Sequence, residues 1–212
     1  MTLLQVVRRH EKTAVDGSGK KLDHPTAEGI QKDYERGREL KLSYPDYQVL
    51  AYASQSERTQ IGCEAMLQGM DCDASVNQDE ALNVVNVPEE IRNIQGDRFK
   101  PLFDFCLEGI TQGGKNLAQY LVQMANNYTG EESGSNTLQL YKSHLPTMTP
   151  AYLTLLGEKI TYDNALLHCA TFPEGDGFDM QTEKVGSDWV VSIDYLDNTH
   201  EIELPKLVER VK

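Results

Sequence analysis

Short apolar runs alternate along the chain with longer amphipathic stretches. Residues 3–7 (LLQVV) are almost continuously apolar and end abruptly in Arg8, Arg9 and His10. Such a run predicts a strand buried on both faces, as in a parallel sheet. Residues 25–42 follow, with Ile30, Tyr34, Gly37 and Leu40 at helical spacing and either Thr26 as N-cap or Pro25 as an early helical position. Residues 49–54 (VLAYAS) predict a second strand, and a helix opened by a capping serine runs on to about Met70. Residues 71–97 mix turn residues, acids and a short apolar piece at 82–87, the pattern of an excursion over the top of a sheet. Two helices are expected at 98–108 and 115–128, split at 111–114, where Gly113 and Gly114 read as a turn. After a polar loop, residues 138–143 (LQLYKS) predict a third strand ending at His144, and Pro146 and Pro150 introduce a helix to about Leu156. The runs DWVVSIDYL and THEIEL, joined at Asp197 and Asn198, predict a hairpin. Strands alternating with helices give an expected α/β fold: three αβα layers, a mainly parallel sheet with helices on both faces, and a C-terminal β-hairpin. One domain over residues 1–212 is expected, with 71–112 as the excursion and 186–205 as the hairpin.

Composition narrows the function. A length of 212 residues with 39% hydrophobic content allows a substantial core. The net charge of -13, from 33 acidic and 20 basic residues, argues against non-specific binding to nucleic acid or to an anionic membrane. No apolar run approaches the roughly 20 residues that span a bilayer, and no signal-peptide pattern is present. Cys63, Cys72, Cys106 and Cys169 are scattered and form no CxxC, so reduced thiols in a cytoplasmic protein are expected.

Against this acidic background, the cations at strand ends stand out. The first strand ends in Arg9 and His10, the second at Ser54 with Arg58 one helical turn later, and the third at His144. Open α/β sheets form their sites at the carboxyl ends of strands. If the three strands are neighbours, two arginines and two histidines converge, and the matching anion is a phosphoryl group. Competing chemistries fail on spacing. His10–Glu11 begins like HExxH, but Ala14 stands where the second ligand belongs. Ser54 lacks a surrounding GxSxG and reads as a hydrogen-bonding or capping residue. Arg8 alternates away from Arg9 and reads as structural, and His168, in the apolar LLHCATF, reads as a hydrogen-bonded core histidine.

In order and spacing these residues resemble the histidine phosphatase superfamily, the phosphoglycerate mutase-like fold. RHEKT (Arg9 to Thr13) stands at the family's opening Arg-His motif, ASQSERTQIGCEAML supplies the serine and Arg58, and LQLYKSHLPTMTPAYLTLLG supplies His144. The segment LDHPTAEGIQKDYERGREL looks like the family's helix after the first motif, and the resemblance covers residues 3 to about 157. It implies a phosphatase that hydrolyses phosphomonoesters through a phosphohistidine on His10. Arg9, Arg58 and His144 would hold the phosphoryl oxygens, with Thr13 in the substrate-binding set, and neither metal nor other cofactor would be needed. The proton donor would come from the excursion: Glu89 first, then Glu90, with Asp79, Glu80 and Asp97 behind them. Three positions depart from the family pattern. Glu11 replaces the usual glycine, Gln55 the usual proline, and Leu145 the aspartate of the acid phosphatase branch. A catalytically weak phosphate-binding or interaction protein, its pocket altered by Glu11, and a phosphomutase are the alternatives. The expected partner is a small phosphorylated substrate or a phosphoprotein, not nucleic acid or membrane. The sequence leaves oligomeric state open.

Overall fold

Alternate side chains of the first apolar run enter two different cores, which is why residues 3–7 have no polar face. The computed structural model describes residues 1–212 except 20, 84–86, 93–98, 131–134 and 169, and the side chains of 89, 92 and 130. In chain order the elements begin with β1 (Thr2–Arg9), β2 (Thr13–Val15), β3 (Lys21–Pro25), α1 (Ala27–Ser43), β4 (Gln48–Ala53), α2 (Glu57–Gly69) and β5 (Val76–Gln78). A 3-10 turn (Glu80–Leu82), α3 (Glu89–Arg92), α4 (Phe99–Gly130), β6 (Thr137–Ser143), α5 (Leu145–Leu156) and α6 (Tyr162–Leu167) follow. The chain closes with β7 (Gly177–Val185), β8 (Asp188–Tyr195), β9 (Asn198–Glu203) and α7 (Leu204–Val211).

Among the described residues seven strands form one sheet, in the order β5-β4-β6-β1-β7-β8-β9. The three strands that end in site residues are adjacent: β6 lies between β1 and β4 and is parallel to both. Leu3 and Val7 of β1 pack on one face against Leu117 and Leu121 of α4, Tyr152 of α5 and Leu207 of α7. Leu4 and Val6 pack on the other face with Cys63 and Met66 of α2 and Leu40 of α1. Each such fully buried aliphatic side chain contributes about 1.5–3 kcal/mol. The expected α/β architecture, parallel at its centre with helices on both faces, is therefore present, and β8 and β9 form the C-terminal hairpin. Among the described residues, no helix is long and apolar enough to cross a membrane.

Helix α1 begins where its cap dictates. The Thr26 hydroxyl accepts a hydrogen bond from Gly29 N at 3.0 Å, satisfying one of the otherwise unpaired first-turn donors.

Several elements differ from expectation. The two helices split at 111–114 are one helix, α4, of 32 residues. Gly114 serves packing rather than a turn, since a Cβ there would lie 2.3 Å from Pro150 Cβ in α5. Burial of Ile110, Leu117 and Leu121 outweighs the roughly 1 kcal/mol that a helical glycine costs. Pro150 accordingly lies inside α5 rather than opening it. The predicted hairpin is part of a larger antiparallel ribbon, because β7 pairs with both β1 and β8. The hairpin of β2 and β3, together with α6 and α7, adds to the expected elements.

Candidate active site

The ends of β1, β4 and β6 are stitched together beyond the strands themselves. His10 N donates to Ser143 O at 3.1 Å and Ser54 N to Lys142 O at 3.2 Å, each continuing a parallel ladder by one residue. A turn after α6 closes over the other side: Arg9 N donates to Asp176 O at 2.7 Å and Gly175 N to His10 O at 3.3 Å. The segment carrying Arg9 and His10 is thus fixed between β6 and residues 172–176. The last of these were not among the expected site segments.

His10 is buried, with its Nδ1 2.7 Å from Glu11 O. A carbonyl can only accept, so Nδ1 carries the proton and the Nε2 lone pair remains. Burial first, then electrostatic coupling to His144, Arg58, Arg9 and Lys142, holds the ring's pKa well below the ordinary histidine value, so the imidazole is neutral. The His144 ring lies 5.3 Å away, tilted by 59°. Its Nδ1 accepts from Arg58 Nη2 at 3.3 Å, so its Nε2 carries the proton and donates to Ser54 Oγ at 2.9 Å. Burial, then Arg58, pushes His144 down to about 3. Ser54 Oγ is itself bonded to Thr59 Oγ1 at 2.7 Å and accepts from Ser56 N at 3.2 Å. The serine therefore fixes the second histidine and the start of α2, the hydrogen-bonding role its sequence context suggested.

The arginines come from two directions. Arg9 Nη1 donates to Phe172 O at 2.9 Å, its Nη2 is 4.0 Å from Glu174 Oε1, and its buried Nε has no hydrogen-bond partner among the described residues. Burial lowers its pKa, an effect opposed by Glu174. Arg58 Nε is 3.6 Å from Asp23 Oδ1. Asp23 of β3 also accepts from Glu57 N at 3.0 Å, capping α2 and holding the arginine at once. Asp23 falls in a segment read only as leading into a helix, and Glu174 in none of the expected site segments. Only the β2–β3 hairpin and the 172–176 turn bring them there, and no local pattern in the sequence could have marked them.

Other expected site residues divide. Thr13 is buried in β2 opposite Pro25. The side chain of Glu89, the first-choice proton donor, and the whole of Asp97 lie outside the described residues. Glu90 and Glu80 are exposed, and Asp79 caps the 3-10 turn, accepting from Ala81 N at 2.9 Å. The excursion is tied to the strand ends. Ser143 Oγ donates to Leu82 O at 2.8 Å, Thr147 Oγ1 to Asn83 O at 2.9 Å, and Gln55 N to Asn83 Oδ1 at 2.8 Å. Arg8 is structural: it pairs bidentately with Asp179 at 2.6 and 3.1 Å. His168 departs from its expected core role. It ends α6 partly exposed, 3.6 Å from Glu158, with no hydrogen bond to Nε2 among the described residues. Glu11 is buried and ion-paired with Arg36 of α1, under the turn at Gly175. That turn favours glycine for its φ of +79°, and the ends of the Glu11 and Arg36 side chains lie against it. Among the described residues, no group of three His, Cys, Asp or Glu side chains could hold a metal ion.

The fold that brings these strand ends together is shared with several solved structures. A phytase from D. castellii matches with a TM-score of 0.61 at 11% identity, over 99% of this chain and 78% of that one. A mycobacterial glucosyl-3-phosphoglycerate phosphatase matches with a TM-score of 0.54 at 12% identity, over 94% of this chain and 99% of that one. A phosphoserine phosphatase mutant from Entamoeba histolytica, in complex with phosphoserine, matches with a TM-score of 0.52 at 15% identity, over 93% and 95%. No protein-family model and no curated protein matches the chain.

Proposed function

We propose that the protein is a metal-independent phosphoric monoester hydrolase that works through a phosphohistidine on His10. The observation that carries this reading is the setting of that ring: Nδ1 donates to Glu11 O, which leaves the Nε2 lone pair, and Arg9, Arg58 and His144 border it. A neutral imidazole with an unprotonated Nε2 is a nucleophile for phosphorus. The Nε2 lone pair attacks in line, the P–N bond forms and the P–O bond to the leaving alcohol breaks. Arg9 and Arg58 hold the equatorial oxygens, with Arg58 oriented by its hydrogen bond to His144 Nδ1, and positioning and charge supply most of the catalysis. A carboxylic acid, assigned to Glu89, protonates the departing oxygen. The carboxylate left behind then takes a proton from water as the water attacks phosphorus and the P–N bond breaks.

Glu11 supports catalysis rather than inactivity in this reading, because its carboxylate is committed to Arg36. The substrate class is a small phosphorylated metabolite or a phosphoprotein, and the phosphoserine and glucosyl-3-phosphoglycerate phosphatases of the same fold favour the metabolite. The free thiols at Cys63, Cys72 and Cys106 fit a cytoplasmic setting. The test is hydrolysis of an aryl phosphate in EDTA from about pH 4 to pH 8, with His10→Ala and Glu89→Gln beside the wild type. Turnover that survives chelation, vanishes in His10→Ala and falls in Glu89→Gln is expected. Equal activity in wild type and His10→Ala would reject the reading.

A further inference from the structure

Behind the pocket lies a second set of charges that the proposed chemistry leaves unused. Lys142 of β6 and Asp33 of α1 form an ion pair, with each side chain 1% exposed. Lys142 Nζ also donates to Arg9 O at 3.3 Å. Arg36, one helical turn after Asp33, lies 3.7 Å from Asp33 Oδ1 and pairs with Glu11. A line of alternating charge, Lys142–Asp33–Arg36–Glu11, thus begins at the carbonyl before His10 and ends on the side chain after it.

Burying a lysine and an aspartate is no efficient route to stability, since apolar residues of equal volume do as well or better. What such a pair supplies is geometry. The His10 ring is oriented by its bond to Glu11 O, so its direction depends on the backbone of residues 9 to 11. That backbone is held at Arg9 O by the Lys142 ammonium, at His10 O by Gly175 N, and at Glu11 by its own side chain on Arg36. A glycine in place of Glu11 would have no such anchor.

We propose that the Lys142–Asp33–Arg36–Glu11 line is a positioning network that aims the His10 ring, with Glu11 as its anchor rather than as a wall of the pocket. The inference rests on the reading of His10 as the nucleophile, and none of the four residues need touch substrate. Its test removes the buried pair without orphaning a charge. In Asp33→Leu/Lys142→Met the fold is retained, while phosphorylation of His10 in a single turnover of aryl phosphate slows by about 10- to 100-fold, as a small misplacement does. The inhibition constant of inorganic phosphate stays within about twofold, because Arg9, Arg58 and His144 are untouched. Nitrogen NMR of the histidine rings gives an activity-independent readout. Wild-type His10 shows the Nδ1–H tautomer alone, and the double variant shows a mixture. A folded double variant with either an unchanged His10 ring or an unchanged phosphorylation rate overturns the network. If that variant does not fold, Arg36→Gln, at the one partly exposed member of the line, is judged by the same two readouts. If wild type proves inert to aryl phosphates, the nucleophile reading falls, and the ring spectra alone decide the network.

Discussion

Two pairs of cations border the Arg9–His10 peptide, and they differ in how their carboxylates sit. At the front, Arg9 and Arg58 face Glu174 and Asp23 at 4.0 and 3.6 Å, and these acids are 36% and 52% exposed. At the rear, Lys142 and Arg36 are in direct contact with Asp33 and Glu11, which are 1% and 3% exposed. The same residue types therefore stand in two electrostatic settings. An exposed pair near 4 Å is worth about 0–1 kcal/mol, so a phosphate dianion can replace its carboxylate at little cost. A buried partner cannot be exchanged, because stripping it leaves a charge without solvent. Exposure of the acid, more than the identity of the cation, separates a surface that can take a ligand from one that holds the backbone.

The sharpest break between the two settings comes from the residue they share. His10→Ala should lower aryl phosphate hydrolysis by about a thousandfold or more, as loss of a nucleophile does, while a urea melt changes far less than activity. Next, Lys142→Met alone should cost about 3–5 kcal/mol of unfolding free energy, because it strands a buried carboxylate. Arg58→Ala should instead lower kcat/KM by about 100- to 1000-fold with a small change in stability. Equal stability losses in Lys142→Met and Arg58→Ala would erase the distinction between rear and front.

Acid should act through the histidines. His144 is pushed from 6.5 to about 3 in the folded protein, so between those values the unfolded chain binds a proton that the folded one does not. Stability is then fully present above the ordinary histidine pKa and is lost as pH falls from 6.5 towards 3. Urea midpoints measured down that window should fall, and His144→Asn should flatten the slope. The smallest effect is expected far from either pair: Thr26→Ala removes the cap of α1 and should cost about 1 kcal/mol by the same melt.

The front of the site was legible in the sequence and the rear was not, for a physical reason. Arg9, Ser54, Arg58 and His144 each follow an apolar run or open a helix, so hydrophobic period and strand-end position mark them locally. Asp33 and Lys142 meet across 109 residues of chain, and neither interrupts the period of its own element. Asp33 reads as one more polar helix position, and Lys142 as one of the polar residues of LQLYKS. Gly113 and Gly114 misled in the opposite direction. A glycine pair signals a turn by propensity, whereas Gly114 is needed for the approach of α4 to α5. Glu11 was conspicuous as a departure from a motif, but its partner Arg36 lies on a helix whose docking only the tertiary structure specifies.

The most direct test of the account is to look for the phosphoryl group on His10. Wild-type protein mixed with an aryl phosphate in EDTA, quenched in alkali within one turnover and digested, should yield a peptide phosphorylated on His10 by mass spectrometry. The same peptide should be unmodified in His10→Ala. Turnover of the aryl phosphate with no phosphohistidine at His10, or with the phosphoryl group on another residue, would contradict the account.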